Sequence, residues 1–285
     1  MAVRADQAGT SPAVDMRLAA FIAGHRRLLV LTGAGCSTDS GIPDYRDADG
    51  QWKRTPPVDY RDFMADAGVR RRYWARSLLG WPRFGRAAPN AAHHALAALE
   101  AAGKVELLLT QNVDCLHQRA GSRNVIDLHG RLDQVRCMGC EARTPREALQ
   151  QRLLQANPGW AALEAGTAPD GDADLEADFS AFAVPACSGC GGILKPDVVF
   201  FGENVPRGRV DAVHAHLQRS DAVLVVGSSL MVYSGFRFVT AAAKAGLPVA
   251  AVNLGRTRAD DLLSLKLELP CAQALSFLLG QAKTQ

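Results

Sequence analysis

Four consecutive apolar residues, Leu28-Leu29-Val30-Leu31, constrain this chain more than any other feature. No polar residue alternates among them, so the run reads as a strand buried on both faces. Strands of that kind belong to parallel sheets covered by helices on either side. The run leads through Thr32 into Gly33-Ala34-Gly35, followed by small or polar residues from Cys36 to Ser40. A strand that enters Gly-x-Gly and a helix start is suited to a diphosphate. The glycines let the backbone turn tightly and come close, and the helix N-terminus faces the negative charge. No third glycine follows at the fingerprint spacing, so on these residues alone a plain tight turn is an equal reading.

The strand-helix rhythm recurs. Strands are expected at 105–109, 125–128, 197–201, 222–226, 249–254 and 265–269, and helices at 16–27, 63–80, 91–102, 207–219, 235–245 and 271–280. This alternation predicts an α/β fold with a doubly wound, parallel, Rossmann-like sheet. Residues 44–62, rich in Asp, Pro, Arg and Gly, read as a loop that orders on binding. With the following helix they form a helical and loop cofactor lid at 44–87. Residues 136–192 break the rhythm and hold paired cysteines, with an acidic loop at 163–180. The nucleotide-binding domain is therefore expected at 16–43, 88–135 and 193–285.

A chain of 285 residues, 48% hydrophobic, can bury a sizeable core. The net charge of +3 makes no case for nucleic acid, and Arg70-Arg71-Arg72 reads as a solvated helix face. No apolar run approaches a membrane span. The opening MAVRADQAGTSPAVDM has no apolar signal core and carries Asp6 and Asp15, so a cytoplasmic location is expected.

Seven cysteines, an odd number, argue against a disulfide framework and for metal plus free thiols in a reducing compartment. Cys137-x-x-Cys140 and Cys187-x-x-Cys190 each put two thiolates on one knuckle, and two knuckles make a closed tetrahedral site. Four protein ligands leave no open position, so one structural zinc per chain is expected, in a small inserted zinc-ribbon module. A thioredoxin-like redox pair and two disulfides are the weaker alternatives.

In open parallel sheets ligands sit beyond the carboxyl ends of the strands. Four polar clusters fall there: Gly33 to Arg46, Gln111-Asn112-Val113-Asp114, His129-Gly130 and Gly227-Ser228-Ser229. Each has a plain reading as well. Asn112 or Asp114 could simply cap a helix, and a lone histidine is more often structural than catalytic, the reading given to His93, His94, His117, His214 and His216.

Taken as units, these motifs resemble the sirtuins, NAD-dependent protein deacylases. The resemblance rests on GAGxSxxSGIPDYR at 33–46, TQNVDCLHQRAG at 110–121, His129-Gly130, the two CxxC pairs, KPDVVFFGENV and GSSLMVYSGFRF. It covers about residues 16 to 280. It is nearest to class II, the mitochondrial sirtuin-four branch, with Tyr45 for the usual Phe and Cys36 for the usual aliphatic residue. The composition suggests a bacterial chain.

The resemblance implies NAD as co-substrate. Gly33, Ala34, Gly35, Ser37, Ile42, Pro43, Asp44, Tyr45 and Arg46 would cradle it. Gln111 would meet the nicotinamide ribose, and Asn112 and Asp114 would line the nicotinamide pocket. Gly227, Ser228, Ser229, Asn253, Leu254, Gly255 and Cys271 would lie on the adenosine side. His129 maps onto the general base, so the implied catalytic set is His129, Asn112 and Asp114. Val198, Val199, Phe200, Phe201 and Gly202 would pair with an extended acyl-lysine peptide. Tyr73-x-x-Arg76 is similar to a Tyr/Arg pair that holds carboxylated acyl chains, although a surface helix explains it as well.

The implied reaction gives nicotinamide, free lysine and 2′-O-acyl-ADP-ribose. Alternatives are mono-ADP-ribosyl transfer from the same site, a non-catalytic NAD-sensing scaffold, and a hydride-transferring dehydrogenase. The last leaves the cysteine module unexplained. Expected partners are acyl-lysine proteins, with no nucleic acid or membrane and a monomeric state.

Overall fold

The computed structural model describes residues 12–45, 47, 49, 51, 53, 57–160, 163, 166–167, 173–174 and 177–281. Its strands are β1 (Leu28–Thr32), β2 (Val105–Thr110), β3 (Val125–Asp127), β4 (Gly130–Cys137), β5 (Arg143–Pro145), β6 (Gly166–Thr167), β7 (Ala173–Asp174), β8 (Leu194–Val198), β9 (Ala222–Val226), β10 (Val249–Val252) and β11 (Leu265–Leu267). The helices before β5 are α1 (Pro12–Gly24), α2 (Tyr60–Ala65), α3 (Ala67–Phe84), α4 (Ala91–Ala101) and α5 (Leu116–Arg119). Later come α6 (Arg146–Ala156), α7 (Arg207–Arg219), α8 (Tyr233–Lys244), α9 (Cys271–Leu275) and α10 (Phe277–Gln281).

The larger sheet is parallel, in the order β11-β10-β9-β1-β2-β3. β1 shows why both faces are covered. Leu28 and Val30 point into a core shared with Leu96 of α4 and Leu275 of α9. Leu29 and Leu31 point into another shared with Leu217 of α7 and Val239 of α8. The two halves of the sheet grow outward from the β1–β9 pair, so the strand order reverses there. That is where an open α/β sheet leaves a crevice.

A smaller antiparallel sheet, β5-β4-β8, carries the four paired cysteines at its end and packs against α3 and α6 through Trp74, Leu78, Val135, Leu149 and Leu153. Here the structure corrects the expected strand at 197–201. The strand is β8, four residues of which precede Val198, and it belongs to the small sheet rather than the parallel one. Pro196 is tolerated because β8 is an edge strand. The apolar residues that suggested a strand, Val199 to Phe201, leave the sheet and turn along the crevice.

Other boundaries also moved. α1 runs from Pro12 to Gly24 instead of 16–27, and the expected helix at 63–80 is two helices broken at Asp66. The Asp66 carboxylate accepts the Gly68 N–H at 2.6 Å and starts α3 afresh. α3 then continues through Pro82 to Phe84. Proline cannot donate to the carbonyl four residues back, and that carbonyl, of Leu78, instead accepts Gln150 Nε2–H at 2.9 Å. No α-helix follows Gly35. Two 3₁₀ turns, Ala34–Cys36 and Thr38–Ser40, end at Gly41 with φ +80°, and Pro43 comes two residues later. The helix expected at 271–280 is α9 and α10. The acidic loop at 163–180 lies largely outside the described residues; within it β6 pairs antiparallel with β7. No helix among the described residues is long and apolar enough to cross a membrane.

Candidate active site

At the β1–β9 crevice Thr32 is in register with Val226, so the loops that follow meet. They meet too closely for side chains. A Cβ on Gly33 would fall 2.8 Å from Ser228 Cβ, and one on Gly227, at φ +63°, would fall 2.3 Å from Cys36 N. These nested backbones floor a cleft of about 590 Å³. Its walls come from four places: the turn from Ser37 to Tyr45, the β2–α5 loop, the chain after β8, and the loops after β9 and β10.

Most of the residues singled out from sequence line this cleft: Gly33, Ala34, Gly35, Ser37, Ile42, Pro43, Asp44, Tyr45, Tyr73, Gln111, Asn112, Asp114, His129, Val198 to Gly202, Gly227 to Ser229, Asn253 and Leu254. Three do not. Gly255 lies past the rim. Cys271 begins α9 and packs in the core beneath Gly227, where its Sγ would stand 3.0 Å from a Cβ at that position. Arg76 lies half-buried on α3, outside the lining that Tyr73 joins. Arg46 is outside the described residues.

The polar groups are held by one another. Ser37 Oγ donates to Asp114 Oδ2 at 2.7 Å and accepts Asn112 Nδ2–H at 3.0 Å, while Asn112 Nδ2 also reaches Gly33 O at 3.0 Å. Asp114 Oδ1 accepts the Leu116 N–H at 2.9 Å, but the N-cap of α5 is Cys115, so neither Asn112 nor Asp114 holds the capping position. Burial raises the Asp114 carboxyl, opposed by the Leu116 and Ser37 hydrogen bonds. Gln111 Nε2 donates to Ser228 Oγ at 2.7 Å, tying the β2 loop to the β9 loop.

His129 follows β3. Its Nδ1 donates to Gln111 O at 2.9 Å, which leaves Nε2 as the acceptor, and Ser234 Oγ donates there at 2.7 Å. Desolvation lowers the imidazole to about 4, the Gln111 carbonyl opposing and Arg209 and Arg237 adding to the effect. The ring is therefore neutral near pH 7, with a defined basic nitrogen at the cleft. Ser234, in the first turn of α8, was not found from sequence. No local pattern marks a serine that reaches His129 only when α8 packs across the strand ends.

The wall after β8 is fixed to this histidine, because Val199 N–H donates to His129 O at 2.8 Å. Lys195, buried between Phe200 and Tyr60, pairs with Glu203 at 3.0 Å, and Glu203 Oε2 also accepts the Phe200 N–H at 3.0 Å. The pair pins the turn that presents Val198 to Gly202. Beyond it the cleft becomes apolar, with Val58, Tyr73, Phe84, Val113 and Leu132. Asp44 pairs with Lys53 at the rim.

The four cysteine sulfurs of the small module lie within 4.8 Å of one another, with Cys137–Cys190 at 3.4 Å and Cys140–Cys187 at 3.8 Å. These separations are too long for disulfides. They match the sulfur–sulfur edge of about 3.8 Å in a tetrahedron with metal–sulfur bonds of about 2.3 Å. The donor set fits one structural zinc.

Comparison with known proteins agrees with this geometry. The Sir2 family model matches residues 33–234. An NAD-dependent protein deacetylase of Xanthomonas campestris pv. campestris (strain 8004) is 72% identical over 259 residues, covering 90% of this chain and 88% of the relative. The mitochondrial NAD-dependent protein lipoamidase sirtuin-4 of Bos taurus is 50% identical over 273 residues, covering 93% and 87%. A solved complex of Sir2 with a p53 peptide and NAD+ superposes with a TM-score of 0.76 at 29% identity, over 94% of this chain and 98% of that one. The chain belongs to the Sir2 family.

Proposed function

We propose that this chain is an NAD-dependent protein lysine deacylase. It removes acyl groups from lysine side chains and yields nicotinamide, lysine and 2′-O-acyl-ADP-ribose. One observation carries the reading: a neutral imidazole with its Nε2 turned to the cleft stands beside the Asn112–Ser37–Asp114 set, above a floor that excludes side chains.

The residues present fit NAD. The Gly33–Gly35 and Gly227 backbones leave room for a diphosphate, and the hydroxyls and amides of Ser228, Ser229 and Asn253 suit ribose and phosphate oxygens. Asn112 and Asp114, with Ile42, suit a carboxamide. When bound, NAD supplies the ribose carbon to which the acyl oxygen is transferred. His129 Nε2 accepts a proton from a ribose hydroxyl, and Ser234 gives up its hydrogen bond to allow it. Val198 to Gly202 hold the peptide as an added strand, and the apolar end takes the acyl chain. Asp44 and Tyr45, at the rim, help exclude water. In this reading the nucleotide unit spans 16–43, 88–135 and 193–285, with a lid at 44–87 and the zinc module at 136–192, and the enzyme is a cytoplasmic monomer.

The test is mass spectrometry of the protein with NAD and a panel of acetyl, succinyl, glutaryl, methylglutaryl and lipoyl peptides. Free lysine peptide with O-acyl-ADP-ribose is the expected result. ADP-ribose retained on protein, with every peptide intact, would replace the proposal with transferase activity. A pH profile adds a second check. Because burial lowers His129 to about 4, its basic form is complete well below neutrality. The acid limb of kcat/KM that His129 contributes is therefore expected near pH 4, not near 6.5.

A further inference from the structure

Beneath the cleft floor lies a cluster that the deacylase reading does not use. Cys36 Sγ and a ring nitrogen from each of His93 and His117 lie within 4.8 Å of one another. All three residues are buried, at 1%, 0% and 1% exposure. They arrive from the turn after β1, the first turn of α4 and α5, with the two imidazole centroids 4.7 Å apart.

The hydrogen bonds leave one lone pair unused. Thr32 Oγ1 donates to Thr110 Oγ1 at 2.9 Å, so it accepts from His117 Nε2–H, also at 2.9 Å. His117 Nδ1 is then a bare acceptor, buried, with no partner among the described residues. A buried acceptor without a donor is costly and calls for an explanation. His93 is only loosely engaged: Nδ1 accepts the Asn90 N–H at 3.2 Å, and Nε2 lies 3.4 Å from Ser37 Oγ.

We propose that Cys36, His93 and His117 form a second metal site, for a borderline or soft d-block cation such as zinc, whose occupation opposes NAD binding. One thiolate and two imidazoles are zinc donors, and three protein ligands leave a fourth position for water. Binding releases the thiol proton to solvent, and the carboxylates of Asp114 and Asp39 near Cys36 offset the cation's charge.

The opposition follows from connectivity. Whichever nitrogen His93 turns to the metal, it gives up a present contact, to Asn90 or to Ser37. Ser37 lines the cleft, and the same hydroxyl holds Asp114 and Asn112. Cys36 itself is the residue whose backbone N lies against Gly227. A metal drawn in below therefore loosens the floor above. A coupling of this kind weakens NAD binding on the order of tenfold.

The metal site stands on its own observations, whereas the effect on NAD rests on the deacylase reading, so two measurements separate them. Protein already carrying one zinc per chain is dialysed against zinc chloride, and bound metal is counted by elemental mass spectrometry. NAD binding is then titrated with and without the added metal. Wild type is expected to take a second ion per chain and bind NAD about tenfold more weakly. Cys36→Val and Cys36→Ala should stay at one ion, and added zinc should leave the NAD affinity of each variant where it was without zinc. No second ion, or a second ion retained by both variants, overturns the site. A second ion that leaves NAD affinity unchanged overturns the coupling. A second ion in a protein that binds no NAD at all upholds the site and sinks the deacylase reading instead.

Discussion

His129→Ala is expected to lower deacylation by about 10² to 10⁴-fold while NAD and acyl-peptide still bind. The range is that of a positioned general base, the role proposed for this ring. The Gln111 carbonyl takes the Nδ1 proton, so the lone pair is fixed on Nε2 and directed to the cleft. Alanine removes that lone pair and the hydrogen bond to the Gln111 carbonyl, and leaves the Gln111–Ser228 and Asn112–Gly33 hydrogen bonds in place. The measurement is single-turnover release of lysine peptide, beside NAD and peptide titrations on the same preparation. Turnover within threefold of wild type would assign the proton transfer to another group.

Loss of the zinc is expected to have a still larger effect, because it removes a wall of the site. Cys137→Ala takes away one of four ligands at the end of β4, in a sheet of three short strands. Structural zinc contributes about 10–16 kcal/mol to small metal-bound folds, comparable to the entire stability of an ordinary domain, about 5–15 kcal/mol. Without it the β4–β8 pairing has little to hold it. Val199 N–H then no longer meets His129 O, and the Val198–Gly202 wall is lost. The expected result is zinc below one-tenth of an equivalent, fast amide exchange in β4 and β8, and no measurable deacylation, with slow exchange persisting in β1 and β9. A full equivalent of zinc in a Cys137→Ala, Cys36→Ala double variant, where neither cluster keeps its full donor set, would exclude these four sulfurs as the metal site.

What could be read from the sequence was whatever is local in it. The strand at Leu28, its glycine turn, and the cysteine knuckles are each written in fewer than ten residues, and their chemistry needs only that spacing. The cleft lining was legible too, because the ends of parallel strands converge by a general rule. The features that were missed depend on partners elsewhere. Pro82 reads as a helix end until Gln150, on another helix, satisfies the carbonyl it leaves open. Val199 to Phe201 look like a buried strand, and only pairing with β4 shows that the strand ends at Val198. Ser234 has no signature of its own. Cys271 falls beneath the floor instead of on it because α9 packs against the α4 side of the sheet. His93 and His117 each look structural, and each is, until the fold brings both to Cys36.

The position of β1 also sets how the chain can be made. It is the first strand among the described residues, yet it lies in the middle of the sheet, with Leu28 paired to Val105 on one side and Ala222 on the other. During translation β1 can dock on β2 early, but its second edge stays bare while residues 111–221 are built. Only then does β9 emerge. Pairings so distant along the chain are slow to form, and an unpaired apolar strand edge is a template for a neighbouring chain. The same placement that puts two glycine turns side by side on the cleft floor therefore leaves one edge of β1 open to neighbouring chains until β9 has left the ribosome.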